Sequence, residues 1–166
     1  MATENKNLSD FQDLPKVSDK WRIAIVKAEW NEEITTGLFD GAMALLNQAG
    51  IADKNVESFK VPGSFELTLG ALWAIEKLDV DAVICLGSVV RGETAHFDYV
   101  CQAVSQGLKD VSIETGIPVV FGVLTDDNMD QARARSGGKH GNKGTEAAVT
   151  ALKMLHLRET LGQGSR

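Results

Sequence analysis

ICLGSVVRGETAHFDYVC, residues 84–101, changes character at its centre. It begins inside a β-branched apolar run, residues 82–90, and breaks at Arg91-Gly92-Glu93-Thr94. A nearly continuous apolar run offers no polar face to water, so it reads as a strand covered on both sides in a parallel sheet. Beyond the glycine turn, Val100, Val104, Leu108 and Val111 fall at helical spacing and stop at Gly116, which suggests a helix over residues 99–115. In α/β proteins ligands settle where a strand's carboxyl end meets the free N–H groups of a helix start. Arg91, Thr94 and His96 crowd that junction. A guanidinium, a hydroxyl and an imidazole so placed suit an anion held beside a proton shuttle.

The flanking segments repeat the alternation. Residues 22–28 (RIAIVKA) read as a short strand, and Ile34, Leu38, Ala42, Leu45 and Ala49 form one helical stripe closed by Gly50. A second strand is expected over 55–61, stopped by Pro62-Gly63, then a helix over 65–77 with Leu69, Leu72 and Trp73 turned inward. A fourth strand is expected over 118–124, and helices over 127–135 and 145–160 flank the glycine-rich SGGKHGNKG. Strand and helix alternate throughout, which predicts an α/β three-layer sandwich: a four-stranded parallel sheet with helices on both faces. Residues 1–20 are polar and aperiodic and read as a flexible arm. The folded domain is expected over 21–160, and 161–166 (LGQGSR) as a disordered tail.

Composition narrows the function. A chain of 166 residues with 43% hydrophobic content is one domain with a proper core. Its net charge of -6, without a basic stripe, argues against nucleic acid or an anionic membrane as partner. No apolar run reaches the length of a membrane span, and MATENKNLSDFQDLPK lacks a hydrophobic signal core, so a cytoplasmic protein is expected. Cys85 and Cys101 lack metal-like spacing and read as free thiols of a reducing compartment. Trp21 and Trp30 flank the first strand, where a lone subunit would expose at least one of them. Such an aromatic marks an interface or a site. For Trp21, ordinary packing under the arm is the equal alternative.

Four segments then share one rim at the strand carboxyl ends: residues 28–31, 61–66, 90–96 and 124–126. The motifs WNEEIT, VPGSFEL, GSVVRGETAHFDYVC, PVVFGVLT and QARARSGGKHGNKGTEAA follow in order over residues 22–155. In that order and spacing they resemble the 6,7-dimethyl-8-ribityllumazine synthase family. The resemblance implies a transferase of riboflavin biosynthesis, with a flavodoxin-like strand order 2-1-3-4. It would condense 5-amino-6-(D-ribitylamino)uracil with 3,4-dihydroxy-2-butanone 4-phosphate, releasing phosphate and water, with no cofactor and no metal. What such chemistry needs is an anion anchor, proton transfer, an aromatic platform and hydrogen bonds to a polyol.

The residues offer each of these. His96 is the only histidine at an expected strand end, and imidazole is the side chain best suited to proton transfer near neutral pH; His140 and His156 read as solvent-facing. Arg135 presents a planar fork that fits a phosphate, and the backbone at Glu93 and Thr94, with the Thr94 hydroxyl, completes the anion pocket. Position 93 contributes backbone only, since its carboxylate would repel phosphate. By resemblance, Trp30 stacks on the uracil ring, and Ser64, Phe65 and Glu66 face the ribityl chain. Ser88, Val89 and Val90 meet the pyrimidine edge, while Phe121, Arg135 and Lys143 reach in from an adjacent subunit. The assembly implied is a homopentamer. The compact loop 136–142 favours twelve pentamers closing into an icosahedral shell, with riboflavin synthase as a further partner. Two positions depart from the common pattern: Thr68 stands where proline is frequent, and Asp126 where a second threonine is frequent. Two alternatives stay open, a related archaeal-type riboflavin synthase acting on the lumazine itself and a non-catalytic shell protein.

Overall fold

The structure is a computed structural model that describes residues 14–163. Four strands, β1 (Ile23–Ala28), β2 (Val56–Val61), β3 (Ala82–Val90) and β4 (Val119–Asp126), pair in the order β2-β1-β3-β4. Every pairing in this sheet is parallel. Around it lie α1 (Glu32–Gln48), α2 (Leu67–Lys77), α3 (His96–Thr115), α4 (Met129–Arg135) and α5 (Lys143–Gln163). This is the three-layer α/β sandwich expected, with that strand order. A short hairpin of β5 (Ser136–Gly138) and β6 (Gly141–Asn142) joins α4 to α5, where the sequence suggested only a loop.

Burial explains the order. The two central strands are the most apolar: all of β1, and β3 from Ala82 to Ser88, are buried. β2 exposes Ser58, Phe59 and Lys60 at one edge of the sheet. Odd and even residues of β1 point to opposite faces. Ile23 and Ile25 join Leu38, Leu45, Leu152 and Leu155 in one core beneath α1 and α5. Ala24 and Val26 join Leu67, Ala71, Val104 and Leu108 in the other, beneath α2 and α3. Each such Leu or Ile contributes roughly 1.5–3 kcal/mol when fully buried.

The helix over 67–77 turns a different face inward from the one expected. Leu67, Ala71 and Ala74 are buried, whereas Leu69 and Trp73 are 47% and 56% exposed. The segment is apolar nearly all round, so periodicity does not select a face. Close approach does. A Cβ on Gly70 would come within 2.9 Å of methyl groups of both Val26 and Val61, so the small-residue side lies on the sheet. Several boundaries also move. His96 opens α3 instead of preceding it; α4 starts at Met129 because Asn128 caps it, accepting from Gln131 N at 3.0 Å. The last helix continues to Gln163, beyond the expected 160, and residues 164–166 lie outside the described residues. Of the expected arm, residues 1–13 also lie outside them, while Leu14 and Val17 pack on the core. Trp21 is buried and donates through Nε1 to Glu159 Oε1 at 2.7 Å, which is ordinary packing. Among the described residues no helix is long and apolar enough to cross a membrane.

The start of α5 is set by contact with α1. Gly144 lies so close to the Leu38 carbonyl that no side chain fits there. Asn142 donates to Gly37 O at 2.7 Å and accepts from Gly144 N at 2.8 Å, and Thr145 Oγ1 donates to Gly41 O at 3.0 Å. The glycine-rich loop is thus seated on α1, and with it Lys143.

Candidate active site: a rim cleft and a groove along the fourth strand

Parallel pairing brings the carboxyl ends of all four strands to one rim. A cleft of about 250 Å³ opens there, lined by Trp30, Asn31, Ser64, Val89, Val90, Gly92, Thr94, His96, Phe97 and Val100. The exit of β1 builds its first wall. Glu29 N donates to Val61 O at 2.8 Å and Trp30 N to Pro62 O at 3.1 Å, continuing the ladder one step past the strands. Trp30 is held by its backbone while its side chain is left 72% exposed. Asn31 then turns left-handed (φ 57°), the only described non-glycine residue with positive φ. Asparagine tolerates this region better than most residues. Its amide donates to Ser88 O at 3.0 Å, tying the exit of β1 to β3.

After β2 the chain folds back on itself. The exposed Glu66 accepts from Gly63 N at 3.0 Å through Oε2. Phe65 is 59% exposed and borders a shallow apolar depression with His96 and Tyr99. Ser64 and Ser88 are buried, yet neither hydroxyl has a hydrogen-bond partner among the described residues. A buried hydroxyl left so costs about 1–3 kcal/mol, and such groups call for an explanation.

The turn after β3 corrects one expectation. Arg91 is not free for an anion: it pairs with Asp98 Oδ1 at 3.1 Å and Asp127 Oδ1 at 3.2 Å, with its guanidinium 4.1 Å from the Phe97 ring centroid. The bond to Asp98, reinforced by Asp127, raises its pKa above the usual arginine value. Arg91 therefore clamps the end of β3 to the first turn of α3 and to the exit of β4. His96 is exposed in that first turn, its backbone N–H donating to Thr94 Oγ1 at 3.4 Å. Glu93 is exposed and lines no part of the cleft.

Phe121, Arg135 and Lys143 gather elsewhere. They line a groove of about 640 Å³ along β4, together with Thr125, Asp126, Gln131 and Glu146 among others. Arg135 Nη1 donates to Gln131 O at 3.0 Å and lies 3.6 Å from Asp126 Oδ1. Lys143 Nζ pairs with Glu146 Oε1 at 2.7 Å, and Phe121 is 42% exposed. No residue lines both the cleft and the groove.

Residues 20–159 match the family model described as 6,7-dimethyl-8-ribityllumazine synthase. A protein of that name from Cytophaga hutchinsonii is 54% identical over 156 residues, covering 93% of this chain and 98% of its own length. Another, from Porphyromonas gingivalis, is 52% identical and covers 95% of this chain and 98% of its own. A third, from Christiangramia forsetii, is 51% identical with 96% of each chain covered. The chain belongs to the 6,7-dimethyl-8-ribityllumazine synthase family. It is an enzyme, a transferase of riboflavin biosynthesis.

For a member of the lumazine synthase family, two residues stand out that sequence reasoning did not place among the site candidates. Asn31 shapes the cleft, and the signal for it was an asparagine directly after a strand, a common bearer of left-handed backbone. Asp126, noted only as a departure from the common pattern, lies against Arg135. Its position at a strand end on the rim was the available signal.

Proposed function

We propose that the chain condenses 5-amino-6-(D-ribitylamino)uracil with 3,4-dihydroxy-2-butanone 4-phosphate to 6,7-dimethyl-8-ribityllumazine, releasing phosphate and water. The observation that carries this reading is the cleft itself, which joins an exposed tryptophan, the unpartnered Ser64 hydroxyl and an exposed histidine on the rim of a lumazine synthase fold. Trp30 offers its face to the pyrimidine ring. Ser88, Val89 and Val90 present the strand end to its polar edge. Ser64, Phe65 and Glu66 flank the ribityl chain, with Glu66 Oε1 accepting from its hydroxyls while Oε2 stays on Gly63. His96 moves protons during imine formation and phosphate loss, and Glu93 N–H and Thr94 meet the anion.

Arg135 supplies the fork for the phosphate, flanked by Lys143 and Phe121. These three belong to a groove that shares no lining residue with the cleft, so one subunit completes the other's site. Phe59, Leu69, Trp73 and Ile113 are exposed large apolar side chains, and they support a homopentamer. The short hairpin β5–β6, with no insertion, supports pentamers closing into an icosahedral shell in the cytoplasm, with riboflavin synthase as a further partner.

Incubation with both substrates, followed by lumazine fluorescence, is expected to show product without any added cofactor. Consumption of lumazine alone would instead support a riboflavin synthase, and binding without turnover a shell protein. Analytical ultracentrifugation is expected to show a shell-sized species. A pentamer-sized one would reject the shell and leave the shared site, whereas an active monomer would reject both.

A further inference from the structure

The groove along β4 holds a carboxylate to which the reading above gives no task. Asp126, the last residue of β4, is 4% exposed. Its Oδ1 lies 3.6 Å from Arg135 Nη1, while its Oδ2 is buried and accepts no hydrogen bond among the described residues. The other charges come from the elements packed around it. α5 brings Lys143 and Glu146, paired at 2.7 Å. The turn after β4 brings Asp127, held at 3.2 Å by Arg91 of the turn after β3. α3 lines the groove only with Ser112. With both groove carboxylates ionised, Asp126 and Glu146 cancel Arg135 and Lys143, so an arriving anion meets no net positive charge.

Burial already pushes the Asp126 carboxyl above its ordinary value, against the opposing pull of Arg135. A second anion on the same guanidinium adds a like charge and disfavours the ionised carboxylate further. We propose that Asp126 takes up a proton from solvent when an anion binds at Arg135, so that the groove gains a positive charge only when the ligand is present. Up to one proton is consumed for each anion bound, the full proton in mildly acid solution, and no bond of the ligand changes. This rests on Arg135 being the phosphate anchor. In that reaction Asp126 is a positioning residue, acting on the substrate through Arg135.

Calorimetric titration of the assembled protein with sulfate tests it, in buffers of different ionisation enthalpy, near neutrality and in mildly acid solution. Sulfate is a divalent anion that does not itself titrate there. The wild type is expected to take up close to one proton per sulfate as the solution becomes mildly acid. Uptake should persist in His96→Gln and vanish in Asp126→Asn. The latter should also bind sulfate roughly three- to tenfold more tightly at neutral pH, since a screened like charge has gone. Asp126→Thr should behave as Asp126→Asn does, separating charge from shape, and Arg135→Ala should abolish binding. Unchanged uptake in Asp126→Asn, its loss in His96→Gln, weaker binding by Asp126→Asn, or no sulfate binding by the wild type would each overturn the proposal. Lumazine formation by the same wild-type sample keeps the two readings apart. Active protein without proton uptake sinks only the role of Asp126, whereas protein inactive on both substrates sinks the functional reading.

Discussion

Around His96 the lining is almost free of charge; around Arg135 it is crowded with charges. The rim cleft is lined by neutral side chains apart from the histidine, and the Ser64 hydroxyl in its lining has no hydrogen-bond partner among the described residues. The groove along β4 is lined by charges set against one another, Arg135 with Asp126 and Lys143 with Glu146. A surface with spare neutral hydrogen-bonding capacity beside an exposed aromatic suits a polar heterocycle. A surface with balanced charges takes an anion by redistributing them. The proposed reaction needs both kinds of surface at one place, and that is the physical case for a site shared between subunits.

The comparison breaks most completely where the groove is seated on α1. Gly144→Ala sets a methyl group against the Leu38 carbonyl, and backbone there has little room to yield. A loss of about 3 kcal/mol or more is expected, in the range of severe overpacking. Thermal unfolding would record it, and lumazine formation should fall with it because Lys143 moves. Trp30 fluorescence quenching by the pyrimidine substrate should survive in whatever protein folds, since Gly37, Leu38, Gly41 and Gly144, which make this seat, do not line the cleft.

The next effect belongs to the cleft. His96→Ala should lower the rate of lumazine formation roughly ten- to a thousandfold, with little change in binding of either substrate, because proton transfer matters in the transition state. Full activity in the variant would remove His96 from the mechanism. Arg135→Lys should act more gently and on the other substrate. A point charge does not reproduce the planar fork, so KM for the phosphorylated substrate should rise about tenfold. If KM rises for the ribitylaminouracil instead, the assignment of the two surfaces is reversed.

Periodicity carried the alternation of strand and helix and hence the rim of strand ends, because a strand buried on both faces calls for a parallel sheet; the strand order came from the family resemblance. Both carried less about faces and partners. Leu69 and Trp73 were expected inward because they are large and apolar, yet Gly70 and Ala71 lie against the sheet because they are small. Arg91 looked free for an anion because Asp127, one of its partners, is distant in sequence and returns only through the β3–β4 register, Val90 beside Asp126. The same register exposes Asp126 as a neighbour of the rim. Its contact with Arg135 also depends on the path of α4, which no local pattern encodes.

The smallest effect sets one buried, unpartnered oxygen against another. The Ser88 hydroxyl does not titrate, whereas the Asp126 carboxyl has its pKa raised by burial above the ordinary 3.8. A folded state that holds a carboxyl proton more firmly than the unfolded chain loses stability as pH rises through the folded value. Above that value the cost of the ionised Asp126 is full and constant; below the unfolded value it is absent. Asp126→Asn should therefore melt higher than the wild type at neutral pH, by about 2 °C for a domain of this size. The gap should close as pH falls through the window between the two values. Ser88→Ala, which removes a hydroxyl with no partner to lose, should shift the melting temperature by the same small amount at every pH. A pH-independent gap for Asp126→Asn would mean that its carboxyl is not strained by burial, and the contrast between groove and cleft would then rest on geometry alone.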